Sequence, residues 1–508
     1  MNQGQTDNRK RSITSNVSYN TVITAMTYLF GAVCMMYVSR KLQPAANGRV
    51  DFANSIVHYF VLFGGLGMPW YAIRCCARFR EDRKKLTRVF SELFSLGLLL
   101  AAISGAVLAV LCLTVGTFRD NRVLMLILGS VIVWNAIGCE WLYKGLERYR
   151  YLMIVSLITR TASLVLVFLA VRSPDDMLLY AGLSVLPTAG MAVCNFIFLG
   201  REIDSRFRFR INLEHLKPLL IFFAMSCMTT IYVNLDIIML GLMKGDYETG
   251  LYSLVSKGKT LFTCFGGVLI ASALPQVSIA WSEGNRERFR EITQRSIGLI
   301  MAVNLALLAF ALVFAEDCVL AMGGASYSGA TKAFRIMVIS IAPIGLSNIL
   351  GGQALVPAGR EKRLLQAEII GAVANLVLNL YVIPRYSING ASVTTLISEV
   401  IVWIVCGYYI LREVGLSIRD TLPDVRTPIA CAVAAVPAYF LPMPFHNVFL
   451  RLATEAVVYF GSYVIIALLL REPTICKVAG KVLRRGEDAA AETEGEEPKS
   501  LSAGEKTK

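Results

Sequence analysis

GLMKGDYETGLYSLVSKGKTLF, Gly241 to Phe262, can be laid without a gap on SRKLQPAANGRVDFANSIVHYF, Ser39 to Phe60. Gly250 then meets Gly48 and Phe262 meets Phe60, each glycine sitting just before a helix start, although identity between the two stretches is low. Six apolar segments precede the unit that carries the second stretch. An even number lets both units enter a membrane from the same side. The register therefore predicts two parallel six-helix lobes, related by an axis along the membrane normal, with a cavity between them.

The rest of the chain agrees with a life in lipid. Of its 508 residues 55% are hydrophobic and only 17% charged, and the mean hydropathy is +0.58, far outside the range of soluble globular domains. Apolar runs long enough to cross a bilayer number about fourteen. The expected class is an all-α integral membrane protein with two six-helix lobes around a central cavity plus two C-terminal helices. Residues 1–16 form an N-terminal segment, 17–200 the first lobe, 201–218 a linker and 219–411 the second lobe. Residues 412–471 carry the last two spans and 472–508 a tail, polar and acidic from Gly486 onward, which reads as disordered. Ile429 to Leu441 is the shortest span and is flanked by proline. The first span, Val17 to Val38, is too long for a signal peptide and should stay as a helix.

Lys and Arg cluster at Arg9–Arg11, Arg74–Lys85, Lys144–Arg150, Arg201–Arg210, Arg286–Arg290, Gly359–Arg363 and Lys481–Arg485. With alternating helices all of these fall on one side, which the positive-inside rule makes cytoplasmic, together with both termini. The net charge of +14 is then inside bias plus attraction to anionic lipid, and nucleic acid need not be invoked. Every loop is short, so no extramembrane catalytic domain fits. The twelve cysteines are scattered and read as small apolar packing residues. Gly258-Lys259-Thr260 mimics the end of a phosphate-binding P-loop, but position 253 is serine where that pattern needs glycine. No zinc-type pair, HExxH or GxSxG is present.

Several motifs follow one another in fixed order: YVSRKLQPAANGRVDFANSIVHYF with LGMPWYAIR, EWLYKGLERYRY, DIIMLGLMKGDYETGLYSLVSK, GGQALVPAGREK and NLVLNLYVIPRYSINGASVTTLISE. Over about residues 15 to 470 the chain resembles the polysaccharide-transporter family. These are Wzx-type flippases of lipid-linked oligosaccharides such as O-antigen, in the superfamily that also holds the multidrug and toxin extrusion pumps. The resemblance implies a bacterial inner-membrane protein that carries undecaprenyl-diphosphate-linked sugar units outward by alternating access. It needs no cofactor beyond a coupling H+ or Na+, and works beside polysaccharide polymerase machinery.

Ionisable groups near the bilayer centre cost about 2.5–3.5 kcal/mol each, so each one asks for a partner or a wet cavity. Arg160 lies ten residues beyond Arg150, about 15 Å into its helix. Ser156, Thr159, Arg160 and Ser163 share one face of that helix, so the stripe should point inward. Either a carboxylate locks Arg160, or its guanidinium fork waits for a phosphate. Asp236 and Lys257 lie at matching depths on either side of the turn at Lys244 to Thr249, where an ion pair is sterically allowed. Lys259 is about 200° around the helix from Lys257, so only one of the two can share that face. Lys257, on the stripe with Ser253, Ser256 and Thr260, is the stronger cavity cation, and its place in GLYSLVSK matches a lysine frequent in the family motif.

His58 follows Asp51 and Asn54 on one face and is either packed or titrating. Glu399, and Glu368 in line with Asn375 and Asn379, could carry coupling ions or partner Arg160. Glu140 and Glu147 belong to the basic surface. Two other functions compete. A drug or metabolite exporter of the same fold commonly needs a carboxylate in the first helix, whereas Val17 to Val38 has none and Cys34 occupies the register position of Asp236. A membrane-embedded polymerase or glycosyltransferase would need a sizeable outer loop or cytoplasmic domain.

Overall fold

The structure, a computed structural model, describes residues 3–204, 208–417, 422–440 and 445–480. The tail beyond Gly486 lies outside the described residues. Helices follow in the order α1 (Gln3–Gly65), α2 (Met68–Arg78), α3 (Arg83–Thr114), α4 (Gly116–Asp120), α5 (Arg122–Gly138), α6 (Glu140–Gly145), α7 (Tyr149–Ala170) and α8 (Met177–Glu202). In the second half come α9 (Leu216–Lys244), α10 (Asp246–Ser282), α11 (Arg286–Val313), α12 (Ala315–Gly323), α13 (Thr331–Val338) and α14 (Ile341–Ser347). A π-helix (Asn348–Leu355) precedes α15 (Glu361–Tyr409), and α16 (Arg426–Phe440) and α17 (Val448–Leu469) close the order.

Among the described residues eight helical stretches are long and apolar enough to span a membrane, and two of them have double length, Val22–Arg78 and Glu361–Val414. At 1.5 Å per residue a helix of more than 50 residues would far exceed a bilayer core of about 30 Å. Each therefore breaks. In α1 the break is Gln43 at φ 62°, followed by Pro44, whose fixed φ suits the first turn of the returning helix. In α15 Ser387 turns at φ 48°, three residues after Pro384, and a hydrogen bond from Thr394 to Asn379 sets the two arms side by side. The apolar helices α5, α9, α10 and α16 add further segments, consistent with about fourteen crossings. Within the apolar stretch Ala325–Leu355, α13, α14 and the π-helix follow in series. Its wide last turn runs through Gly351 and Gly352, and the buried Gln353 there donates to Ser296 Oγ at 2.6 Å.

Each half has its own apolar cores. Val50, Phe52 and Ala53 pack with Leu124, Met125 and Leu128 in the first, and Leu254 and Val255 pack with Tyr327, Phe334 and Met337 in the second. Large side chains left exposed, among them Ile158, Leu169, Tyr381 and Val457, are the surface that lipid tails cover.

The halves meet chiefly through α1, which touches α9, α10 and α12, and through α2 against α9. At the end away from the basic loops the contact is reciprocal. A Cβ on Gly48 would stand 1.9 Å from the carbonyl oxygen of Asp246, and one on Gly250 would stand 1.9 Å from that of Pro44. Residues 44 and 246, like 48 and 250, are partners in the repeat register. A two-fold axis requires such an exchange, and only glycine permits the approach.

Two further ties cross at this hairpin end. Arg40 donates to the carbonyls of Leu320 and Ala321 in the last turn of α12, both at 2.9 Å, while its guanidinium lies 4.5 Å from the centre of the Phe449 ring. Asn47 donates to the Tyr327 hydroxyl at 3.2 Å. In the seam itself burial pushes the Asp246 carboxyl above its ordinary value, and Arg49 opposes that shift.

At the basic end the linker is pinned to the first half. His215 Nε2 lies 3.1 Å from Glu92 and its Nδ1 2.9 Å from the Tyr71 hydroxyl, and Asn212 donates to Glu92 at 3.3 Å. Glu140 pairs with Lys144 and Glu147 with Arg80 at this surface, each at 2.9 Å.

Candidate functional site

Beneath the glycine seam a cavity of about 400 Å³ opens between the halves, within the roughly 300–1,000 Å³ of ordinary ligand pockets. Both arms of α1 supply one wall through Thr27, Tyr28, Asp51 and Asn54, and α9 and α10 supply the other through Asn234, Ser253 and Lys257. These polar residues recur at one-turn intervals on otherwise apolar helices, so each helix offers a single wet stripe to the interface.

Lys257 is the cavity's lysine. Its side chain is 39% exposed and its ammonium reaches both carboxylate oxygens of Asp51, at 2.7 and 2.8 Å. Ser253 also donates to Asp51. The pairing of Lys257 with Asp236 that the matched depths allowed is not formed. The two residues face different ways, because the inner side of α10 already meets α1 across the axis. Lys259 is absent from the lining, as its rotation about the helix dictates.

Asp236 is 6% exposed and accepts three hydrogen bonds from neutral donors: the Tyr252 hydroxyl at 2.5 Å, Asn379 Nδ2 at 2.6 Å and Thr395 Oγ1 at 2.8 Å. Asn379 also donates to Asn375 at 3.1 Å and accepts from Thr394. Among the described residues no Lys, Arg or His lies within ion-pair distance of Asp236. A buried carboxylate without a cation keeps its charge at high cost, and two hydroxyls and an amide N–H converge on it from α10 and both arms of α15. Such a shell suits a proton or a small hard cation.

Arg160 occupies a separate cavity of about 140 Å³ inside the first half, lined by Asn135, Glu140, Ser156, Thr159 and Thr188. Its Nε donates to Ser156 Oγ at 3.1 Å. The predicted stripe does face inward, but toward α8, where Ser163 donates to the Leu183 carbonyl at 2.8 Å. Arg160 and Lys257 thus line different chambers. The chambers adjoin along α1: Ile23 lines the first, and Thr27, one turn on, lines the second.

His58 is exposed on α1, one turn past Asn54 on the same face. Glu399 is buried and Glu368 half-buried, both on α15. Asn375 and Asn379, which the sequence aligns with Glu368, belong instead to the shell of Asp236. Sequence reasoning missed Asp51 as a site residue. Its signal was there, in the gapless register that places Asp51 opposite Ser253 and Ser55 opposite Lys257.

Comparison with known proteins fits this architecture. A candidate O-antigen transporter of Shigella dysenteriae is 24% identical over 400 residues, 76% of this chain and 97% of its own length. Among solved structures, a lipid II flippase MurJ in an inward closed conformation superposes with a TM-score of 0.68 at 12% identity, covering 90% of this chain and 99% of that one. An inward-facing multidrug resistance MATE transporter of the MOP superfamily gives 0.61 at 16% identity over 79% of this chain and 98% of its own. At such identities these structures speak for the fold. The MatE family matches residues 222–381. Residues 13–281, just over half the chain, match the family described as polysaccharide biosynthesis protein, and the chain belongs to that family.

Proposed function

We propose that the chain is a flippase that carries lipid-diphosphate-linked oligosaccharide units, undecaprenyl diphosphate being the lipid part, across the bacterial inner membrane for surface polysaccharide synthesis. The observation that carries this reading is an ammonium, Lys257, held in a polar chamber on the axis between two halves. A cation there attracts an anionic headgroup, and the hydroxyls and amides around it offer hydrogen bonds to sugar. The likeness to a candidate O-antigen transporter over nearly that protein's whole length supports the cargo.

In this reading the basic end and both termini are cytoplasmic, and the hairpin end faces outward and is closed. The headgroup enters from the basic end, drawn by the charge of Arg160 in the adjoining chamber about 15 Å into α7, and reaches Lys257 about two turns below the seam. Rocking of the halves about the axis then exposes it outside, where polymerase machinery would receive it. Asp236, with the hydroxyls of Tyr252 and Thr395 beside it, serves as the site of a coupling H+ or Na+.

The test is genetic. In a strain relying on this chain, Lys257→Ala should abolish display of the surface polysaccharide and pile up lipid-linked units on the inner leaflet, at unchanged protein level. Arg160→Ala should lower export, and Lys259→Ala should leave it intact. Normal display with Lys257→Ala would overturn the assignment. A drug or metabolite exporter is the second reading, favoured by the MatE match, which takes in Asp236, Tyr252 and Asn379. It predicts altered drug tolerance with the polysaccharide unaffected.

A further inference from the structure

Three polar ties hold the hairpin end shut: Arg40 on the end of α12, Asn47 on Tyr327, and Asp51 on Lys257 with Ser253. The third has both sides in the central chamber, since Asp51, Ser253 and Lys257 all line it, whereas Arg40 and Tyr327 do not. Asp51 lies one turn below Gly48, and Ser253 one turn below Gly250. This tie is therefore the floor of the seam and the ceiling of the cavity.

The donors it uses are an ammonium and a hydroxyl converging on two carboxylate oxygens. A phosphate oxygen pair asks for the same donors, with more negative charge than one carboxylate supplies. The tie also breaks the pseudo-symmetry. In the repeat register the mates of Asp51 and Lys257 are Ser253 and Ser55, so the mirrored position holds two serines and no second ion pair backs the first.

We propose that Asp51 is a built-in stand-in for the cargo's diphosphate, and that displacement of Asp51 from Lys257 by that anionic group unlocks the hairpin end. The inference rests on the flippase reading and deepens it. When Lys257 and Ser253 turn to phosphate, Asp51 is left without its cation and beside a second anion. Repulsion then drives the returning arm of α1 away from α10. An empty carrier stays shut to the outside because Asp51 fills the place of the cargo, and a loaded one opens. Asp51 acts through Lys257 and is a positioning residue.

Spin labels carried on unnatural residues at Ala45 and Ser326, both exposed at the hairpin end on opposite halves, report the opening in the purified full-length chain in nanodiscs. Without ligand, the parent should give one short distance. Asp51→Asn should move most of the population to a longer one, and Asp51→Glu should restore the short one, which separates a lost charge from a misfolded helix. In the parent, millimolar inorganic pyrophosphate should lengthen the distance saturably, and in Asp51→Asn it should change nothing further. A short distance retained in Asp51→Asn would overturn the latch, and a parent indifferent to pyrophosphate would overturn the displacement. Undecaprenyl diphosphate forms a separate arm: failure of the lipid where pyrophosphate succeeds counts against the proposed cargo and leaves the latch standing.

Discussion

Asp236 sits among three neutral donors with no cation at ion-pair distance among the described residues, and its chemistry follows from that imbalance. Replacing it by Leu would strand those donors in a buried site, a loss of about 1–3 kcal/mol for each group left unsatisfied. Asp236→Asn keeps the shape and most of the bonds while removing the charge. The expected result is a stable, membrane-inserted protein whose residual transport in proteoliposomes no longer responds to a sodium or proton gradient. Gradient-dependent transport equal to that of the parent would remove Asp236 from coupling. At this scale the sequence was readable for which helices carry polar stripes, because one-turn spacing is a local property. It was not readable for partners. Asp236 and Lys257 share a hairpin and a depth, yet Asp51, about 200 residues away in the chain, outcompetes Asp236 because pairing depends on which faces of α1 and α10 the axis brings together.

The double-length helices α1 and α15 show how a break is placed at the level of an element. A proline near each fold-back removes a backbone donor and a positive φ at Gln43 or Ser387 reverses the chain. In α15 the proline at 384 and the glycine at 390, which flank the fold-back, are both visible in the sequence. The division of residues 331–355 into α13, α14 and a π-helix is not visible there, since it goes with tertiary packing: a Cβ on Gly345 would meet Asn304 and one on Gly351 would meet Leu364. The seam between α1 and α10 gives the sharpest expectation. Gly48→Val or Gly250→Val puts carbon where a carbonyl oxygen stands, and overpacking of this kind costs about 1–3 kcal/mol. Thermal unfolding in detergent should fall for both variants, and the hairpin-end distance should lengthen. Gly105→Ala on α3, where no atom lies within 4 Å, should leave both unchanged.

For the molecule as a whole, the axis relates two halves that touch chiefly through α1 against α9, α10 and α12 and through α2 against α9. The gapless register made that axis legible before any coordinates, because an even count of spans fixes parallel orientation whatever the identity. The separation of the Arg160 chamber from the Lys257 chamber was not legible, since a stripe's inward direction does not say whether inward means into a lobe or between lobes. Sidedness has its own check: with an impermeant thiol reagent on intact cells, Lys41→Cys should be labelled and Arg286→Cys should be labelled only after lysis, and the reverse pattern would invert the topology.

The exchange at Gly48 and Gly250 has a consequence for divergence. Each glycine reads main-chain oxygen on the opposite half, and every amino acid presents that same oxygen. The side chains at 44 and 246 can therefore change, as proline and aspartate already have, while the hinge line keeps its geometry. Two ancestral copies pinned in this way can drift apart almost freely and still close against each other.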